Sequence, residues 1–170
     1  ATASLVVALT VLRANVFWRN EAYLDDASGH LTALAKDLTE GTFYRPLHSS
    51  AGYGGTRHLP VRFTLHAASM ELLGDPIRSG YLVSAAAMAL LVAGVYVLLR
   101  RLGTHAVLAA ASAAFVLAPH PAQEALLTIK TDGLAAALNI WGVALCAGEA
   151  VGAAPLVAAA VIFTLAFATK

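Results

Sequence analysis

Glu21 and Asp25 stand four residues apart, just after an apolar N-terminal run, so a helix through them would present both on one face. Two carboxylates so placed at a membrane surface suit a general base for an acceptor hydroxyl or amine. The plainer reading is that acids gather at a helix start to complement its dipole, with Asp25 or Asp26 capping the helix that follows. Asp26 and His30 are also four apart, as metal ligands on a helix can be, but two ligands do not make a site. Lys130-Thr131-Asp132 opens another apolar run, where Thr131 or Asp132 would cap a helix and the polar groups would lie at the membrane rim. Lys170 closes a further apolar run, either as an interfacial anchor or as the partner of a phosphate. Arg45, Arg57, His58 and Arg62 form a basic set beside Phe43, Tyr44 and Tyr53. That mixture suits a phosphorylated or sugar ligand, and contact with anionic lipid accounts for it nearly as well. His48, His66, His105 and His120 are scattered and take no role.

The elements that must hold these groups are membrane helices. Hydrophobic residues make up 59% of the chain and charged residues 12%, about half the usual share of a soluble domain. Mean hydropathy is +0.71. A net charge of +1 gives no nucleic-acid signal. The single cysteine, Cys146, excludes a disulfide framework within these residues. A span needs roughly 20 apolar residues. Five runs approach this: 1–18, 81–99, 102–119, 133–148 and 150–169. Of these, 81–99 is free of charge, whereas the first contains Arg13, which must face the protein interior or snorkel from a span that ends near it. The expected fold is an all-α polytopic bundle of about five spans with one large loop over 19–79. The chain begins inside an apolar run without an initiator Met and stops at the end of another, which reads as the front part of a longer polytopic protein.

Arg100-Arg101 follows the 81–99 run and marks a cytoplasmic end, so the 19–79 loop is extracytoplasmic, 120–131 forms a second external loop, and Lys170 ends outside. Arg19, Lys36, Arg45, Arg57, Arg62 and Arg78 oppose that orientation, but long loops are largely exempt from the positive-inside bias. Within the loop, Ala27, Leu31, Leu34, Ala35 and Leu38 recur at helical spacing, with Gly41 as the stop, and predict an amphipathic helix at the interface. An irregular stretch around Gly52, Gly54 and Gly55 follows, then a helix from about Pro60 to Gly74-Asp75-Pro76.

The order of these features resembles the N-terminal part of the C-type (GT-C) integral membrane glycosyltransferases, in the branch of protein mannosyltransferases and lipid A aminoarabinose transferases. The resemblance runs through Asn20-Glu21-Ala22-Tyr23-Leu24-Asp25, then Gly41-Thr42-Phe43-Tyr44-Arg45-Pro46 and Gly52-Tyr53-Gly54. It continues through Leu73-Gly74-Asp75, Leu99-Arg100-Arg101-Leu102, Lys130-Thr131-Asp132-Gly133-Leu134-Ala135 and Leu165 to Lys170. Each motif is short, and their order carries the likeness. The resemblance implies transfer of a sugar from a polyprenyl-phosphate carrier to a lipid, glycan or protein acceptor at the outer face of a bacterial plasma membrane. It implies a loop carboxylate as base, Glu21 first and Asp25 second, with Asn20 where relatives carry Asp. It also implies that Lys130 and Asp132 belong to the substrate site and that Lys170 approaches the carrier phosphate. Some relatives use a divalent metal and others none, and this sequence shows no metal motif. Two other readings stand beside this one. A transporter would place its ionisable groups near the midplane and show repeats, whereas here the acids sit at helix ends. A non-catalytic scaffold would use the loop to bind a partner.

Overall fold

The computed structural model describes residues 2–20, 24–50, 52–53, 58–148 and 152–170; Glu21 and Arg57 lie outside them. Among the described residues the fold is all-α apart from one hairpin of two-residue strands. The helices are α1 (Thr2–Asn20), α2 (Asp26–Thr39), α3 (Pro60–Leu73), α4 (Pro76–Arg101), α5 (Ala106–Phe115), α6 (His120–Leu127), α7 (Asp132–Cys146) and α8 (Ala153–Phe167).

Local chemistry sets the ends of the loop helices. Asp25 caps α2 by accepting the Ser28 N–H at 2.8 Å, an arrangement that contributes about 1 kcal/mol. Gly41 follows α2 at φ +85°, a conformation that favours glycine, and the helix stops there. Pro60 sits in the first turn of α3, and Gly74 ends that helix at φ +69°. Asp75 then caps α4, accepting from the N–H groups of Ile77 and Arg78, each at 2.9 Å. Between α2 and α3, β1 (His48–Ser49) pairs antiparallel with β2 (Gly52–Tyr53), so part of the expected irregular stretch is a short hairpin.

The apolar face of α2 packs on α3 rather than standing alone at an interface. Leu34, Ala35, Phe63 and Ala67 form one buried cluster with Leu38, Tyr44 and Met70 around it. A second cluster holds the bundle: Ala14 of α1, Met88 and Leu91 of α4, Ala125 to Leu127 of α6, and Ala137 of α7. Leu31, Tyr81 and Ile129 join the two layers.

Contacts along the bundle give the helix directions. Trp18 near the end of α1 stacks on Tyr81 near the start of α4, centroids 5.7 Å apart, so α1 and α4 run opposite ways. Gly133 faces Met88, Gly94 faces Ile140 and Trp141, and Arg101 donates to the Ala144 carbonyl, so α4 and α7 run parallel. Gly142 lies against Phe163, and Lys170 reaches Asp132, so α8 returns antiparallel to α7. The parallel pair needs a return between its members, which α5 and α6 supply.

Among the described residues one helix, α4, is long and apolar enough to cross a membrane. Its 26 residues span roughly 39 Å against a hydrocarbon core of about 30 Å. The run over 102–119 is broken: α5 and α6 meet at 72° and make a second crossing segment if counted as one bent span. Pro119 lies at the break, where it disfavours helical backbone before it and stands extended as the N-cap of α6, and Pro121 sits in the first turn of α6, where its missing N–H needs no partner. The expected external loop over 120–131 is therefore mostly the α6 helix. The apolar helices α7 and α8 have 15 residues each. Arg13 is exposed, its guanidinium 5.3 Å above the Phe17 ring, so it faces outward from a helix that continues to Asn20.

Candidate functional site

The site is built around a short link, residues 128–131, between α6 and α7. A non-helical link that is buried must have its backbone groups met from elsewhere. Three helices do this. Ser84 of α4 donates its hydroxyl to the Thr128 carbonyl at 2.7 Å. Ser28 of α2 accepts the Ile129 N–H at 3.0 Å. Arg62 of α3 donates from Nε to the Lys130 carbonyl at 3.1 Å. The link is thus pinned by side chains from α2, α3 and α4, and the direction of the Lys130 side chain follows.

Lys130 Nζ lies 2.9 Å from Asp25 Oδ2 and 2.5 Å from Glu124 Oε1. All three side chains are about one-fifth to two-fifths exposed, so water screens the pairs in part. Hydrogen bonds to the two carboxylates raise the Lys130 ammonium above its ordinary value. Burial alone would raise the Asp25 carboxyl. The Ser28 and Lys130 hydrogen bonds outweigh that and hold it below its ordinary value. Asp25 is therefore ionised at neutral pH. It caps α2, as the plainer reading of the sequence expected, and it also belongs to a charged cluster.

A second ion pair lies at the same end of the bundle. Lys170 Nζ is 2.7 Å from Asp132 Oδ1, both side chains more than half exposed. The Val61 N–H, at the start of α3, donates to the Ala168 carbonyl at 3.1 Å and ties the end of α8 to the loop layer. Beside Lys170 a cavity of about 440 Å³ is walled by Leu59, Ala135, Asn139, Phe163 and Phe167. Mostly apolar walls, with Asn139 and the Asp132-paired Lys170 ammonium as the polar groups, suit an amphiphile carrying an anionic group. Thr131 precedes α7 without a side-chain cap bond, and Asp132 stands in the first turn.

The other expected residues are engaged within the loop layer. Arg45 pairs with Asp37 at 2.5 Å. Tyr44 donates its hydroxyl to the His58 carbonyl and packs edge-on against Phe43 and Phe63. The His58 ring faces His30 with centroids 6.4 Å apart. The structure therefore brings Asp25 to Lys130 and Asp132 to Lys170, and sets Tyr44, Arg45 and His58 against α2 and α3. Arg62 departs from the basic surface set, being only 1% exposed. Among the described residues no group of three or more His, Cys, Asp or Glu is placed to hold a metal ion.

Sequence reasoning missed two things. Glu124 carried no local signal, since its partner Lys130 lies beyond the end of its own helix. The buried polar stripe of α3 was legible: Arg62, His66 and Ser69 fall at the spacing of the buried face that also holds Phe63 and Ala67. Comparison of the chain with protein-family models, with curated proteins and with solved structures gives no match.

Proposed function

We propose that the chain is part of a membrane glycosyltransferase of GT-C type, which moves a sugar from a polyprenyl-phosphate carrier to an acceptor at the extracytoplasmic face of a bacterial plasma membrane. The observation that carries the reading is the gathering of Asp25, Glu124, Lys130, Asp132 and Lys170 at one end of the apolar helices, under the loop layer. Arg100 and Arg101 stand at the far end of α4. On this reading α1, α4, the bent pair α5–α6, α7 and α8 are five crossings that alternate in direction, and the charged end faces outward.

The chemistry needs two things at that end. The acceptor oxygen attacks the anomeric carbon and loses its proton to a carboxylate, while the carbon–phosphate oxygen bond breaks and the phosphate leaves with the electron pair. Asp25 supplies a carboxylate that is ionised and still has lone pairs to accept an acceptor hydroxyl. Glu21, four residues upstream, is the other candidate base. Lys130 and Lys170 supply charge for the departing phosphate by exchanging a carboxylate partner for a phosphate oxygen. The aromatic and basic side chains of Tyr44, Arg45 and His58 stand on the loop side where acceptor or sugar would lie, and Arg57 is a further candidate there by sequence alone. The carrier's apolar tail would run among the helices and membrane lipids.

The test is sugar transfer from a labelled polyprenyl-phosphate sugar in native membranes containing the protein, with and without EDTA. Asp25→Asn and Glu21→Gln separate the two bases, and the base substitution should cost 10² to 10⁴-fold in rate. Lys170→Met should weaken donor use. Full transfer by both single variants and by the double variant would sink the base assignment, and a wild type that transfers no sugar would sink the reading.

A further inference from the structure

We propose that Glu124 is a positioning residue, which holds the Lys130 ammonium between two carboxylates so that it remains transferable to an incoming phosphate instead of locking onto Asp25. The proposal rests on the glycosyl-transfer reading for its catalytic consequence. Its structural half stands on the geometry of the cluster.

The backbone of Lys130 is fixed and its side chain is shared. Arg62 Nε holds the carbonyl, and the neighbouring Ile129 N–H is held by Ser28. From that anchor the ammonium meets Asp25 of the α2 cap on one side and Glu124 of α6 on the other. An ammonium has three N–H donors. The two carboxylates take two of them, which leaves one direction for a third oxygen.

Sharing matters because of what a single partner would do. Asp25 already gives one oxygen to the Ser28 N–H. With its other oxygen clamped by an undivided Lys130, it would be a poorer acceptor for a proton. Glu124 competes for the same ammonium and lowers that hold. When a phosphate oxygen arrives, Lys130 can leave Asp25 and stay on Glu124. The charge then moves from base to leaving group without a bare ammonium at any stage. The trio sums to one negative charge, so the counter-charge from neighbouring elements matters: Arg62 of α3 stands behind Lys130, and Asp132 at the start of α7 is matched by Lys170 from α8. Asp26 adds a further acid beside Asp25 on α2.

Glu124→Gln is the test, with Glu124→Asp as the conservative variant. The first readout is acylation of Lys130 by an amine-reactive reagent, followed by peptide mass spectrometry, with exposed Lys36 as the internal reference. Loss of the Glu124 charge removes the stronger of the two carboxylates that keep the ammonium protonated, so even with Asp25 in place the free-amine fraction rises; Lys130 labelling should speed up several-fold and Lys36 stay unchanged, and Glu124→Asp should restore slow labelling. The second readout is sugar transfer. Glu124→Gln should lower kcat about tenfold with donor KM nearly unchanged, and the acid limb of the pH profile should move to lower pH. Unchanged Lys130 labelling overturns the proposal whatever the transfer assay gives. Faster labelling with unaltered kcat and acid limb overturns it as well. A wild type that transfers no sugar is a failure of the glycosyltransferase reading, and the labelling result alone then decides whether Glu124 holds Lys130.

Discussion

Arg62 Nη2 donates to Ser84 Oγ at 3.0 Å, and through that bond the loop layer is fastened to α4, the longest helix. The same nitrogen reaches the Gly80 carbonyl at 3.1 Å, and Nε reaches the Lys130 carbonyl. Ser84 in turn donates its hydroxyl hydrogen bond to the Thr128 carbonyl. One guanidinium therefore joins α3, α4 and the α6–α7 link. Burial pulls it down to about 10, which leaves it charged at neutral pH.

Arg62→Met keeps much of the volume and removes every one of these bonds. The expected loss is about 1–3 kcal/mol, because the Lys130 carbonyl is left buried and unmet. Arg62→Lys should not rescue, since the guanidinium donates from two separate nitrogens, Nε and Nη2, whereas a lysine carries all its donors on one atom. Apparent Tm in detergent should fall for both variants. Trypsin should cut at Arg78 faster, because the layer over the start of α4 is loosened. A Tm equal to wild type for Arg62→Met would show that the fastening lies elsewhere.

His66 makes a pH-dependent contribution next to Arg62. Its Nε2 lies 2.7 Å from the Pro76 carbonyl, and the carbonyl can only accept, so the neutral ring carries its proton on Nε2. Burial pushes His66 down to about 4. The Pro76 bond raises it in part, and the nearby Arg62 charge lowers it further. The folded value is below the unfolded one, so the unfolded chain binds more protons between pH 4 and 6.5. Stability is therefore complete above about pH 6.5 and lost as pH falls toward 4, by at most about 3 kcal/mol. His66→Gln keeps an N–H donor where Nε2 stands and cannot titrate. Its apparent Tm should fall less than that of wild type between pH 7 and pH 4.5, and an equal fall in both would assign the acid sensitivity to other groups.

Two glycines set how closely helices approach. A Cβ on Gly80 would lie 2.5 Å from Ile129 Cδ1 and 2.9 Å from His66 Cε1. A Cβ on Gly142 would lie 2.6 Å from Phe163 Cε1. Gly80→Ala and Gly142→Ala should each cost about 1–3 kcal/mol through overpacking, despite the better helix propensity of alanine. The two should differ in their second effect. Gly80→Ala presses on the link that carries Lys130 and should impair transfer, whereas Gly142→Ala parts α7 from α8 and should act mainly on stability. Equal stability of Gly80→Ala and wild type would mean that Ile129 can move aside freely.

These contacts show what the sequence could and could not reveal. The start of α2 was legible because a cap and an apolar repeat are local: Asp25, Leu31, Leu34 and Ala35 carry both. The limits of α3 were legible for the same reason, from Pro60 and Gly74. The break in the third apolar run was written in Pro119 and Pro121 but hidden by the apolar average around them. The ion pairs were not legible at all. Asp25 with Lys130, and Asp132 with Lys170, meet only because α7 runs parallel to α4 and α8 returns beside it. Long-range pairing of that kind follows from helix packing, which a hydropathy pattern does not encode. Glu124 is a different case: its partner Lys130 is only six residues on, but the two meet because the buried, non-helical 128–131 link sets the lysine's direction, which no local pattern encodes.

The direction of the bundle gives a prediction that needs no substrate. Arg101 donates to the Ala144 carbonyl near the end of α7, so residues 101–105 and Cys146 share one end of the molecule, and Lys36 and Lys170 belong to the other end. Arg100 and Arg101 should hold their end in the cytoplasm. Cys146→Ala, with any cysteine outside these residues replaced as well, gives a background in which one new thiol reports one position. In intact cells a membrane-impermeant maleimide should label Lys36→Cys at once and should label His105→Cys only after permeabilisation. Both positions are exposed, so access to reagent, not burial, decides the outcome. The reverse pattern would invert the orientation and put the Asp25–Lys130 cluster on the cytoplasmic face. Labelling of both positions in intact cells would mean that α4 does not separate them across a bilayer.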